Sequence, residues 1–492
     1  MRIRTRKLLV YKNVMIVLFA LLPLSYIGFF VYRIGEIYQD LASFSYLYEP
    51  DPSTFMNANY SRLSEMAEVY DYRYEEFHIP LNLSVTTQFT DENLTTVLAY
   101  HYSDNCALWT GLAIAGWVGK YLAAIRENDT VMLENATRVL RKLIHGFSML
   151  MAVPNGGLGP NYSGILARGW AAPEHKTIAP MYFQENIRHF NGTGQYSQYR
   201  WRGYTSNDEY GGFYMGLALA LKYVDDPYVQ TTVRLIIEQV ANYNVKNNFL
   251  GINGPGGLTG VNQKPKFGSG GFWVPLLLKM AAIVNPEKYE RLYYRWVIEE
   301  MTLLANTEGG DQETTSNYYA YNFGHCTVFG YLMLEGPDTK IGQRFFNGYI
   351  QTLRKYTMNH RNAFFNAVYL AVLERYGKTD PNAELIRRDV EDQLMKIDEV
   401  HFPDTYRPLA PVPDDWPNAT VIEDVKKWLE EDPYGTIFQA ALPEVNLKRK
   451  YYARPLSIEM RATSIFPWEE NPYIQSREYN NPTREEAGMI FA

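Results

Sequence analysis

Two cysteines in 492 residues, Cys106 and Cys326, are too few for a disulfide framework and fit no metal-ligand spacing. In an oxidising compartment they can pair; two buried free thiols account for them equally well. The chain has no HExxH helix, no G-x-S-x-G elbow and no EF-hand loop. Its one glycine-rich stretch, residues 251 to 271, has neither the GxxxxGK[ST] spacing nor a preceding strand, so it is not a phosphate cradle. No metal and no cofactor is therefore expected. Positive charge is also short, with 47 Lys and Arg against 54 Asp and Glu and a net charge of −7. No basic stripe with interleaved aromatics occurs, which excludes a nucleic-acid partner. A repeated consensus is absent too, which argues against a stacked α-solenoid.

Apolar residues make up 46% of the chain, enough for a large core. The 40 tyrosines and nine tryptophans either pack that core or line a sugar-binding cleft. At the N-terminus, Arg2, Arg4, Arg6, Lys7 and Lys12 precede an uncharged run over residues 14 to 32. That run is long enough to span a bilayer and is followed by no A-x-A site. The spacing predicts an uncleaved signal anchor, with residues 1–33 as cytoplasmic tail and membrane helix and the rest extracytoplasmic. A cleaved signal is the alternative. Sequons at Asn59, Asn82, Asn93, Asn128, Asn135, Asn161, Asn191 and Asn418 agree with a glycosylated, extracytoplasmic body.

After a stem over 34–96, hydrophobic periodicity predicts paired helices across 97–400. The pairs are 105–126 with 130–152, 208–224 with 227–246, 270–284 with 286–305, 323–334 with 338–357, and 361–376 with 382–398. Tight turns, most of them carrying a proline, make each pair an αα-hairpin, while the links between pairs are long. The first helices of the early pairs are rich in small residues, as in GLAIAG and GGFYMGLALA. The expected fold is all-α, an (α/α)5–6 toroid, with residues 401–492 as an irregular extension packed on it.

The stretch RWRGYTSNDEYGGFYMGLALA, residues 200 to 220, organises the chain: a polar loop feeding a buried helix, with Asn207 and Asp208 as N-cap candidates. In a ring of hairpins the long links share one face, and carboxylates far apart in sequence converge there. Asp104 and Asp208 each lie ahead of an inner helix. They are either helix caps or the two carboxylates that glycoside cleavage needs. Glu209 and Glu313 are spare candidates, and Asp311 is expected to converge on the same face. His325 is an acid/base candidate, with His360 as a sugar hydrogen-bonding candidate. Arg202 and Arg361 are suited to a substrate carboxylate or to local salt bridges. Trp109, Trp201 and Tyr210 are the candidate stacking surfaces.

Together with the stretches DNCALWTGLAIAG, SNDEYGGFYMGLALA, NHRNAFFNAVY and IFPWEENPY, this arrangement resembles the six-hairpin glycosidase-like superfamily of (α/α) toroids. The same stretches look like those of membrane-anchored or secreted helical proteins of prokaryotes. Within the superfamily, unsaturated glucuronyl hydrolases place two catalytic aspartates near the starts of neighbouring inner helices. The resemblance implies that role for Asp104 and Asp208. The expectation is a membrane-anchored enzyme that acts on an oligo- or polysaccharide by hydrolysis or elimination, with Tyr210 or His325 as the base in the latter case. The alternative is a non-catalytic cell-surface protein that binds glycan or protein with the same face.

Overall fold

The computed structural model describes residues 28, 50–101, 105–254, 257–263, 273–297, 319–397, 408–414, 422–423, 449–450, 456–461 and 484–485. The membrane-spanning expectation for 14–32, apart from Gly28, lies outside them, as do Asp104, Asp311, Glu313 and Asn418. Tyr48–Val412 and Pro455–Ala492 form one compact unit; Met1–Leu47 and Pro413–Arg454 form another. Of the second unit, the described part is essentially a short antiparallel pair, Ile422–Glu423 with Arg449–Lys450.

The larger unit is mostly helical. Helix α1 (Tyr60–Arg73) leads in. Five hairpins follow: α2 (Cys106–Glu127) with α3 (Thr130–Asn155), α4 (Asn207–Tyr223) with α5 (Pro227–Lys246), α6 (Trp273–Val284) with α7 (Pro286–Arg295), α8 (Tyr319–Glu335) with α9 (Lys340–Tyr349), and α10 (Ala363–Arg375) with α11 (Ala383–Met395). A π turn at Ile350–Arg354 carries α9 on to a last helical turn at Lys355–Thr357.

The turns form for local reasons. Asn128 takes the left-handed conformation at φ 57° to end α2, and Asp129 caps α3 by accepting from the Met132 N–H at 2.9 Å. Pro227 and Pro286 stand at the start of their helices behind the caps Asp226 and Asn285. Asp226 also holds Arg141 of α3 at 2.6 Å, tying the first hairpin to the second. Burial pushes the Asp226 carboxyl up, but Arg141 and the cap amides outweigh it and leave the group below its ordinary value. Its stabilisation is therefore present above the ordinary carboxylate range and lost as pH falls through the depressed value. Asp226→Ala is expected to cost about 1–2 kcal/mol in denaturant unfolding through the lost cap. Asp226→Asn, which keeps a capping oxygen, should cost less.

Helix α4 is central. Its residues from Glu209 to Leu221 are all buried, as fits a helix apolar on every side. It packs on α2, α6 and α8, and α8 packs in turn on α6 and α10. The second helices are amphipathic; α3 packs on α5, and α5 on α6. Among the described residues, α2 is the helix long and apolar enough to cross a membrane. Twelve of its residues are buried, consistent with a core helix.

Short strands, which helical periodicity does not reveal, lie ahead of the first hairpin and in the long links. β1 (Thr86–Phe89) pairs with β2 (Val97–His101) and with the distant segment Arg484–Glu485. The link from α3 to α4 holds β3 (Gly169–Ala171), β4 (His189–Asn191) and β5 (Arg200–Arg202), with β5 in the middle. Trp201 pairs with Trp170 on one side and Phe190 on the other. β6 (Leu250–Gly254) and β7 (Gly257–Asn262) form a hairpin within the glycine-rich stretch. Cys106 and Cys326 are both buried free thiols, so the disulfide alternative does not hold.

Candidate functional site

The start of α4 gathers several buried polar groups. Ser206 is its N-cap, not Asn207 or Asp208. Asn207, Asp208 and Glu209 fill the first helical positions instead, where the helix dipole favours acidic side chains. The carboxyl of Glu209 is fully buried and reaches the start of another helix. Its Oε2 accepts the Leu108 N–H of α2 at 3.1 Å, and the Ala107 N–H also points to it. Helix α2 has no side-chain cap of its own, because Asn105 makes no such bond. Glu209 thus supplies from α4 the acceptor that α2 lacks.

Arg168 binds this arrangement together. Its Nη1 lies 3.8 Å from Glu209 Oε1 and donates to Asn105 Oδ1 at 3.2 Å, while its Nε donates to the Tyr204 carbonyl at 2.6 Å. Burial nevertheless holds the Glu209 carboxyl well above its ordinary value near 4.5. The charge of Asp208 pushes the same way, and Arg168 and the two amides oppose it. Among the described residues, Oε1 receives no hydrogen bond, and neither do Thr205 Oγ1, Ser206 Oγ, Asn207 Oδ1 or the Tyr210 hydroxyl. Asp208 itself is partly exposed.

A raised carboxyl value has a fixed thermodynamic sign. The folded state binds the Glu209 proton more tightly than the unfolded chain does, so stability falls as pH rises from the unfolded value towards the folded one. Glu209→Gln removes that slope while keeping an oxygen for Leu108. Its thermal midpoint relative to wild type is expected to climb with pH across that window. A difference that stays flat with pH would show that Glu209 is ionised throughout.

The other predicted site residues are mostly structural. Trp201 is 1% exposed, donates from Nε1 to the Asn191 carbonyl at 2.9 Å and packs on Phe190, so its ring is not a stacking surface. Tyr210 is wholly buried beside Tyr214, and burial pushes its phenol up, which disfavours a role as base. His325 stacks on Phe365 at 4.0 Å. The Thr357 hydroxyl donates to the Leu353 carbonyl, so it accepts from His325 Nε2 at 3.0 Å and fixes that tautomer. Burial, with Arg354 and His360 nearby, drives His325 well below its ordinary value and keeps it neutral. His360 is buried as well, pushed down to about 3 by burial and by Arg461 and Arg354. These two imidazoles belong to the core, not to an acid/base pair.

Arg361 is engaged by the carboxylates of α11. Its side chain bonds Asp389 at 2.7 Å and Asp392 at 2.9 Å, and Lys396 meets Asp392 in the same buried group. It is thereby removed from substrate binding. Arg202 is buried on the middle strand β5, next to the link that feeds α4. Trp109, in the first turn of α2, is half-buried against the core. Among the described residues no group of His, Cys, Asp or Glu converges as a metal site.

Of the sequons, Asn59, Asn93, Asn128, Asn161 and Asn191 are exposed. Asn135 is half-buried. Asn82 is not suited to carry a glycan in this fold, because its Nδ2 is held at 3.0 Å by His145 Nδ1 and Ser84 of its sequon is buried.

The chain matches no protein-family model, no curated protein and no solved structure. Its site must be read from its own geometry.

That geometry brings the starts of α2 and α4 together through Glu209, Arg168 and Asn105. Asp208 lies at this junction, and Asp104 immediately precedes Asn105 in the chain. Trp201, Tyr210, His325, His360 and Arg361 are committed to packing or ion pairing instead. Arg168, Asn105 and Tyr204 were not among the sequence candidates. Nothing in their spacing announces the contacts, since Arg168 is 63 residues from Asn105.

Proposed function

We propose that this chain is an extracytoplasmic, membrane-anchored enzyme that hydrolyses glycans at the joined starts of α2 and α4. The observation that carries this reading is the hydrogen bond from the Leu108 amide to Glu209. It holds the first turn of α4 beside the first turn of α2, the relation that a carboxylate pair drawn from the two helix starts requires. Asp208 acts as the general acid that protonates the leaving oxygen. Asp104, one residue ahead of Asn105, is the base or positioning carboxylate. Glu209 and Arg168 are positioning residues that fix the spacing.

Hydrolysis is favoured over elimination because the bases that elimination was expected to use are both buried, with the Tyr210 phenol kept protonated and the His325 imidazole made a poor proton acceptor. The packing of α4 on α2, α6 and α8, and of α8 on α6 and α10, supports arrangement of the hairpins as an (α/α) toroid. The basic N-terminal cluster ahead of residues 14–32 and the five exposed sequons support a single membrane helix with the body outside. The test is to incubate the full chain with a panel of polysaccharides and follow reducing ends and the ultraviolet absorbance of unsaturated uronates in parallel. Reducing ends without that absorbance are expected. Absorbance rising with them would replace hydrolysis by elimination, and retained glycan binding with no product would indicate a non-catalytic surface protein.

A further inference from the structure

The candidate stacking rings Trp201 and Tyr210 are buried and Trp109 is half-buried, whereas the ring of Tyr204 beside them is exposed. Tyr204 is 40% exposed and stands four positions before Asp208. Its ring stacks on Phe190 with centroids 6.3 Å apart and planes 22° apart, and Phe190 in turn packs on the buried Trp201 at 4.9 Å. Tyr204 is thus the outermost ring of a series anchored in the core. The Arg188 guanidinium lies 6.0 Å from its centroid.

The backbone that presents this ring is unusual. Tyr204 has φ 62°, a conformation that bulky residues adopt rarely and that clusters at functional sites. Two hydrogen bonds impose it: Arg168 Nε donates to the Tyr204 carbonyl, and the Gly203 N–H donates to the Arg188 carbonyl at 2.8 Å. The same Arg168 braces the start of α2 and faces Glu209. The ring and the carboxylate junction therefore share one support.

The next three residues carry buried polar atoms. Thr205 is 2% exposed, and its hydroxyl, the Ser206 hydroxyl and the Asn207 side-chain oxygen hydrogen-bond nothing among the described residues. Buried polar atoms of this kind normally have partners. These atoms are closed to solvent, so a sugar meets the site through its ring face, whose C–H bonds suit an exposed aromatic ring.

We propose that Tyr204 is the platform on which a pyranose ring of the substrate stacks, so that the neighbouring glycosidic oxygen is presented to Asp208. This rests on the reading of the chain as a glycan hydrolase. Tyr204, not Trp201 or Tyr210, sets the affinity for the sugar.

The test is calorimetric titration of the full chain with cellohexaose, chitohexaose and a hexamer of polygalacturonate, in the Asp208→Asn background so that bound sugar is not consumed. Tyr204→Gly accepts positive φ without a Cβ, which offsets the lost packing on Phe190, so this variant should remain folded. It should bind the preferred hexamer roughly tenfold or more weakly, the effect of deleting an aromatic anchor. Tyr204→Phe should bind within about twofold of the parent, since the stacking face is kept. Unchanged affinity in a folded Tyr204→Gly protein overturns the platform while leaving the hydrolase reading intact. Absence of binding by the parent to all three hexamers overturns the platform, and the hydrolase reading fails with it only if the wild-type chain also releases no reducing ends.

Discussion

Replacing Gly212 with alanine is expected to destabilise the chain by about 3 kcal/mol or more, and replacing it with leucine to prevent folding. A Cβ at Gly212 would meet the Leu108 carbonyl oxygen at 2.4 Å and its Cα at 2.7 Å. The reciprocal contact is as close, because a Cβ on Gly111 would lie 2.0 Å from the Gly212 carbonyl oxygen. Both obstacles are backbone, which cannot turn aside as a flexible side chain does. Close packing here is also what lets Glu209, one turn earlier on α4, reach the Leu108 amide. The same helix α2 provides a control. Gly116 and Gly119 are exposed, and a Cβ added at either would meet nothing within 4 Å. Gly116→Ala and Gly119→Ala should each stabilise by about 0.5–1 kcal/mol, as expected for glycine within a helix. Urea unfolding of the three alanine variants checks both signs at once.

Replacing Asp208 with asparagine is expected to lower glycan turnover by about 10²–10⁴-fold, the usual contribution of a general acid. The fold should persist. Asp208 is partly exposed in the first turn of α4, so the lost charge costs only about 0.3–1 kcal/mol of helix-dipole interaction. Asp104→Asn should be comparably damaging. Because the two carboxylates act on one bond, the double variant should be little worse than either single one. Losses that multiply would mean that the two aspartates serve separate steps. Initial rates on the preferred polysaccharide, with thermal midpoints recorded beside them, decide the matter.

The hairpins were legible because their signals are local. Asp129, Asp226 and Asn285 cap helices that begin where periodicity resumes, and Pro227 and Pro286 mark first turns. The small residues of GLAIAG and GGFYMGLALA serve close helix approach where Gly111 meets Gly212. The cap of α4 was misplaced because Ser206, Asn207 and Asp208 all suit that position by residue type, and only the backbone separates them. The strands between α3 and α4 escaped notice because three-residue segments carry too little alternation to register.

The site was less legible, for a physical reason. A tryptophan in a polar loop has the same sequence signature whether its ring faces solvent or, like Trp201, bonds the Asn191 carbonyl from inside a sheet. Arg361 resembled a substrate clamp until α11 supplied Asp389 and Asp392. The contact that matters most, Glu209 with Leu108, spans 101 residues, and no local pattern encodes it.

The most direct measurement of the central claim compares the full chain with its Asp208→Asn variant for release of reducing ends across a panel of polysaccharides, at matched thermal midpoints. The account expects release by the wild-type chain from at least one polysaccharide and its loss in the variant. Equal release by both proteins, or none by either, would contradict catalysis at the joined starts of α2 and α4.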